Sequence, residues 1–160
     1  MTSRSRHSYD YRHIVTFEET SLLGTAYFVN HLRWQGRCRE LFLRQNAPEL
    51  AREFEGGLCL VTTHCACEYL VEIFALDEVI VRMSLSDMMQ NRFTLSFEYL
   101  KIREQSEVVV ARGTQQVACM RREGSRLLPE PIPACLQKAL EPYSAGLLSY
   151  CFGAPHQTRE

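Results

Sequence analysis

The sequence predicts an α+β domain in which one long helix lies across a curved five-stranded antiparallel sheet. Three observations carry that prediction. A strand-like stretch and a helix-period run stand near the start, four long stretches of strand-like composition follow, and one short helical segment closes the pattern. At 160 residues the chain fits one domain with a real core. Its expected limits are residues 9–148, between a flexible N-terminal tail at 1–8 and a C-terminal tail at 149–160.

Residues 9–17 (YDYRHIVTF) are rich in aromatic and β-branched side chains and read as the first strand. Residues 18–24 are a turn, in which Thr20 or Ser21 is placed to cap the next helix and Gly24 to adopt a positive φ. The helix begins at Tyr27 or Phe28 and runs to about Gln45. Phe28, Leu32, Gln35, Arg39 and Phe42 step by four, three, four and three residues and so share one face. Pro48 breaks this pattern, residues 49–54 add a helical turn, and Gly56-Gly57 end it.

Residues 58–74 make one long strand or a bent one, and 77–85 follow after a tight corner. Residues 87–91 are polar enough for a turn. Residues 92–103 alternate most clearly: Phe93, Leu95, Phe97 and Tyr99 on one face, Thr94, Ser96 and Glu98 on the other. A hairpin at 104–106 leads into the last long strand, 107–120, with Gly113 a candidate bulge. Residues 121–126 read as a charged loop, and a Pro-rich segment precedes a short helix at 134–140. One helix covers only the concave face of such a sheet. The opposite face and an edge strand stay open, which predicts an oligomer joined through the sheet.

Composition excludes several classes. A net charge of −1 gives no electrostatic reason to bind nucleic acid or an anionic membrane. No apolar run approaches the length of a membrane span, and the polar start does not resemble a signal peptide. Seven scattered cysteines then read as reduced thiols in a cytoplasmic protein. His64-Cys65-x-Cys67 is the one cluster suggesting a metal. In a strand His64 points away from the two cysteines, so core thiols are favoured and no metal or cofactor is expected. Nucleophile-elbow, P-loop and dinucleotide-binding motifs are all missing.

The chemistry concentrates on the helix. Gln35 and Arg39 interrupt its apolar face, and a guanidinium cannot shed its proton, so it needs an acceptor if buried. Arg39 therefore either snorkels from the edge of the stripe or meets a ligand. Gly36 costs about 1 kcal/mol relative to alanine in mid-helix, which implies close approach of a backbone or a ligand. Glu18 and Glu19 are ordinary helix-dipole partners or, less favoured, a general-base pair. His31 lies about a third of a turn from Arg39 and is a candidate through its neighbours.

Glu18-Glu19, Gly24, the segment Tyr27-Phe28-Val29-Asn30-His31, Leu32-Arg33-Trp34, Tyr69 and Asp77-Glu78 together resemble the hotdog-fold acyl-CoA thioesterases of the 4-hydroxybenzoyl-CoA thioesterase branch. The run VNHLRWQGRCRELFL is similar to the enediyne polyketide thioesterases of the calicheamicin and dynemicin type. The resemblance spans residues 9–120. It implies hydrolysis of a polyene β-ketoacyl thioester from the acyl carrier protein of an iterative polyketide synthase, with loss of CO2 from the released acid.

By that resemblance the Phe28 N–H polarises the thioester carbonyl and Arg39 holds the β-keto oxygen or nascent carboxylate. Ser21 stands where the general branch carries an acid and the enediyne branch carries Asn, so it is expected to bond a water or cap the helix. His31 and Thr62 contribute polar contacts, and Gly24, Tyr27, Asn30, Leu32, Gln35 and Phe93 line the substrate. A homotetramer, a dimer of dimers, is implied. Two alternatives stay open: a non-catalytic acyl-binding or pathway-assembly protein of the same fold, and a general acyl-CoA thioesterase. A hotdog dehydratase needs a His–acid pair that the sequence does not offer.

Overall fold

The structure, a computed structural model, describes residues 8–104 and 106–144. The expected domain end at residue 148, both tail assignments up to residue 7 and from residue 149, and Cys151 lie outside the described residues.

Six antiparallel strands form one sheet: β1 (Tyr9–Ile14), β2 (Leu58–Tyr69), β3 (Glu78–Met88), β4 (Arg92–Arg103), β5 (Ser106–Glu123) and β6 (Arg126–Pro129). The spatial order is β1-β3-β4-β5-β2, with β6 paired to the far end of β5. Helix α1 (Val29–Asn46) lies on the concave face, followed by α2 (Leu50–Glu55), and α3 (Ala134–Leu140) comes after the sheet. The α+β architecture with a helix wrapped by a curved sheet is therefore the expected one. The five predicted strands are joined by β6, which sequence reading took for loop. A turn at Gly124 (φ +61) folds the chain back there, pairing Glu123 with Arg126.

The alternation of β4 holds: Phe93, Leu95, Phe97 and Tyr99 all turn inward into the core. Phe93 is only 1% exposed, so the expectation that it lines the substrate is corrected; it is core beneath the helix. The helical period is also as expected, but its phase is not. The buried face is His31, Trp34, Gln35, Cys38 and Phe42, while Phe28 is 54% exposed and Leu32 and Arg39 lie on the flank. Trp34 and Cys38 take the central seats against the sheet.

Two expectations about glycine change. Gly113 sits in regular register opposite Cys67 and Phe97, not in a bulge. A Cβ there would stand 2.1 Å from Gln35 Nε2 and 2.8 Å from the Ala66 carbonyl, so this is where the helix side chain comes closest to the sheet. A Cβ at Gly36, by contrast, would meet no heavy atom within 4 Å, and the flank of α1 is open there.

The bulge in β2 lies at Thr63, between Thr62 (opposite Val117) and His64 (opposite Gln116). Cross-strand partners share a face, so Leu60 and Thr62 turn inward before it and Cys65, Cys67 and Tyr69 after it. β2 is also an open edge of twelve residues whose one formal charge is Glu68, whereas the other edge, β1, is six residues long and carries Asp10 and Arg12.

Candidate active site

The turn before α1 is fastened by one carboxylate. Glu19 accepts from the Thr16 N–H at 2.8 Å, from Trp34 Nε1 at 2.8 Å and from Thr16 Oγ1 at 3.1 Å, and its Oε2 lies 2.8 Å from His13 Nε2. Burial works to raise its pKa, but the Thr16, Trp34 and His13 hydrogen bonds outweigh it and hold the group at about 2. Asn30 Nδ2 donates to the Glu19 carbonyl at 2.7 Å. Glu19 thus pins β1, the turn and the helix together. Asn30, expected at the substrate, is buried in the same fastening.

Gly24 takes the expected positive φ of +80°. Neither Thr20 nor Ser21 caps α1; Phe28 occupies the N-cap without a side-chain bond. The Ser21 hydroxyl accepts from the Leu23 N–H at 3.3 Å and lies 3.4 Å from Thr25 Oγ1, which stiffens the turn. Its backbone N–H donates to the Thr25 carbonyl at 2.7 Å.

Tyr27 and Phe28 are exposed with ring centroids 4.8 Å apart. The Phe28 N–H finds no acceptor among the described residues, as expected of the first turn of a helix. The Phe28 carbonyl accepts from Tyr69 Oη at 2.9 Å. Beside it a cavity of about 260 Å³ is lined by Phe28, His31, Tyr69, Val71 and Ile73, among others. His31 packs within aromatic contact of Trp34, Tyr69 and Tyr99. Its burial lowers its pKa to about 4, against the raising effect of the Phe28 carbonyl. The imidazole is therefore neutral at pH 7 and a weak base.

Arg39 forms a second centre. Its Nη1 donates to Thr62 Oγ1 at 3.0 Å and to Gln115 Oε1 at 2.8 Å. It pairs with no carboxylate among the described residues. Burial depresses its pKa from the usual value, with Glu40 opposing. A groove of about 510 Å³ opens beside it between α1 and α2, with apolar walls from Leu43, Ala47, Leu50, Ala51, Phe54 and Leu60 and with Glu40 and Arg44 also on its lining. Arg39 thus neither snorkels freely nor forms an ordinary ion pair. It is a cation held by neutral acceptors at the head of an apolar groove.

Three buried side-chain atoms lack a partner among the described residues: His31 Nδ1, Gln35 Oε1 and Arg39 Nε. They lie at steps of four along one helix face, spanning about 12 Å at 1.5 Å per residue. Gln35 spends its Nε2 on the Ala66 carbonyl at 3.0 Å. Native interiors rarely leave such atoms unpaired, and this row runs along the helix from His31 to Arg39.

The sequence-predicted residues therefore fall into two groups. Ser21, Gly24, Tyr27, Phe28 and His31 cluster at the start of α1, and Arg39 with Thr62 three turns later. Phe28 and Arg39 are about 16 Å apart along the axis, too far for one carbonyl to touch both. Sequence reading missed Gln115 as Arg39's second anchor. The signal was present: Gln115 sits among Ala111, Gly113, Val117 and Cys119, the inward positions of β5, as the one large polar side chain.

Other features stand apart. A cavity of about 690 Å³ lies on the outer sheet face, where Arg82 and Arg112 are already paired with Asp10, Glu107 and Glu98. Among the described residues no cluster of His, Cys, Asp and Glu is arranged for a metal, and no helix is long and apolar enough to cross a membrane.

The family profile described as "Thioesterase-like superfamily" matches residues 15–140. Crystal structures of the dynemicin thioesterase, described with bound polyene, share 44% identity and a TM-score of 0.83, over 87% of this chain and 99% of that one. 4-Hydroxybenzoyl-CoA thioesterase in complex with 4-hydroxybenzoyl-CoA superposes with a TM-score of 0.76 at 14% identity, over 85% and 99% of the two chains. The 1,4-dihydroxy-2-naphthoyl-CoA thioesterase from Synechocystis gives 0.72 at 18% identity, over 84% and 96%. These last two speak for the fold alone. No curated protein sequence gives a match.

Proposed function

The chain belongs to the thioesterase-like superfamily and is a thioester hydrolase on a hotdog fold, and from that premise we propose that it releases a polyene β-ketoacyl chain from the acyl carrier protein of an enediyne-type iterative polyketide synthase. The observation that carries this reading is Arg39: a cation without a carboxylate partner among the described residues, at the head of a groove with largely apolar walls. That pairing of charge and apolar wall suits an acyl chain ending in a β-keto group. The 44% identity to a thioesterase that binds polyene supports the chain type.

Water adds to the thioester carbonyl, the C–S bond breaks, and the carrier thiol leaves with a proton. Ser21 is not an activated nucleophile among the described residues, since it is engaged in its turn and His31 is too weak a base to activate it. The work falls to polarisation: the Phe28 N–H at the positive end of α1 on the thioester oxygen, and Arg39 on the β-keto oxygen and carboxylate. Loss of CO2 then leaves its electron pair on the β-oxygen as an enolate. Arg39 stabilises that charge, and protonation gives the ketone.

The 16 Å between Phe28 and Arg39 is resolved by a second copy. Both lie on the same helix flank, Gly36 leaves that flank open, and β2 offers a nearly uncharged edge that pairs with no further strand among the described residues. A two-fold axis between antiparallel α1 helices brings Phe28 of one copy to Arg39 of the other, within the expected oligomer. Phe28→Pro removes the N–H at a position whose φ of −54° suits proline. Mixed with Arg39→Ala, it should regain roughly a quarter of wild-type activity, because half the dimers carry one intact composite site. Activity no greater than the sum of the two parents would show that the site lies within one chain.

The function itself is tested by incubating the protein with β-ketoacyl carrier protein and reading the products by mass spectrometry. Free β-keto acid or its decarboxylated ketone is expected. Binding without product would select the non-catalytic acyl-binding alternative.

A further inference from the structure

Gln115 was not among the residues singled out from the sequence, yet it makes the shortest hydrogen bond to Arg39. It is 5% exposed, on the inward face of β5, opposite Leu95 and Cys65. Its Oε1 faces the guanidinium at 2.8 Å, where a carboxylate would be the ordinary partner of a buried arginine. Thr62, the other anchor, is likewise neutral. The hydrogen bonds of the described residues include no acceptor for Gln115 Nε2.

We propose that Gln115 is a positioning residue that fixes the aim of Arg39 while leaving its charge unspent, making the groove selective for apolar chains with an anionic or enolate head. This rests on the proposed reading of the Arg39 site and deepens it. An amide oxygen carries enough partial charge to orient a guanidinium edge but no net charge to neutralise it. A carboxylate in the same place closes the ion pair, and an incoming anion then competes with a fixed one.

Gln115→Glu tests this with two chemically matched probes. Octanoate carries the anionic head, and octanamide carries the same chain without charge. Calorimetric titration should show octanoate affinity falling at least tenfold in Gln115→Glu, with octanamide affinity within twofold of wild type. Gln115→Met keeps the volume and adds no charge, and should lose octanoate affinity only a few-fold. A structural role alone would weaken both probes together, and equal losses, or no loss of octanoate affinity, overturn the proposal. Should Gln115→Glu fail to fold, Gln115→Met decides: unchanged preference for octanoate over octanamide refutes the assignment, a reduced one supports it. The readout is binding, so a wild-type protein that hydrolyses no thioester yet shows this selectivity would sink the thioesterase substrate reading and leave the role of Gln115 standing.

Discussion

Replacing Arg39 by alanine is expected to lower kcat on a β-ketoacyl thioester by about 10²–10³-fold, the cost of losing one preorganised donor to developing charge. The effect should appear in kcat more than in KM, because the enolate and carboxylate charges grow after binding. Stability should barely change. A largely buried guanidinium with no carboxylate partner among the described residues carries a desolvation cost that alanine does not, and this offsets the lost bonds to Thr62 and Gln115. Arg39→Lys keeps the charge but loses the planar guanidinium whose Nη1 bonds both anchors, and should fall between wild type and Arg39→Ala. Steady-state hydrolysis alongside circular dichroism and a thermal melt checks each of these statements. Full activity in a folded Arg39→Ala protein removes the residue from the mechanism.

The second large effect concerns folding. Glu19→Ala is expected to cost about 3 kcal/mol, because it strips the acceptor from buried Trp34 Nε1 and from the Thr16 N–H. Its pH dependence has a defined sign. The Glu19 carboxylate, held at about 2 against an ordinary 4.5, gives the folded state fewer protons than the unfolded one between these values. That contribution is complete above pH 4.5 and is lost as pH falls through 2.

His31 acts in the same direction at higher pH. Neutral in the fold down to about 4 and ordinarily protonated below 6.5, it makes the unfolded chain the better proton acceptor between those values. Acid should therefore erode stability in two successive steps. Urea denaturation at a series of pH values reads both, and Glu19→Gln should flatten the lower step while leaving the upper one. A Glu19→Gln protein with an unaltered lower step would show that another carboxylate governs it.

Local patterns were the legible part of the sequence. β4 and α3 have the limits read from alternation and proline placement, Arg92–Arg103 and Ala134–Leu140. Gly24 declared its turn, and Arg39 declared itself by standing where the stripe should be apolar. Helical phase was harder. Phe28 looks like the start of the stripe, but it sits at the N-cap and is 54% exposed, so the buried face rotates to Trp34 and Cys38. What stayed hidden depends on partners far along the chain. Gln115 meets Arg39 across 76 residues, Gln35 reaches the Ala66 carbonyl across 31, and Gly113 is conspicuous only once Gln35 lies over it. β6 was lost because four residues returning from a charged turn carry too little hydrophobic alternation to register.

The extra residue in β2 acts as a parity switch for the site. Side chains along a strand alternate between faces, so a regular strand cannot present both an even and an odd position inward. Thr62, which anchors Arg39, is even; Tyr69, which holds the Phe28 carbonyl, is odd. Thr63 reconciles them by absorbing one count between the two. Substitutions along β2 leave that arithmetic untouched, whereas removal of a single residue there turns one of the two anchors to the outer face. The spacing of this edge strand is thus held to an odd–even rule that neither anchor alone would impose, and insertions or deletions between them are tolerable only in pairs.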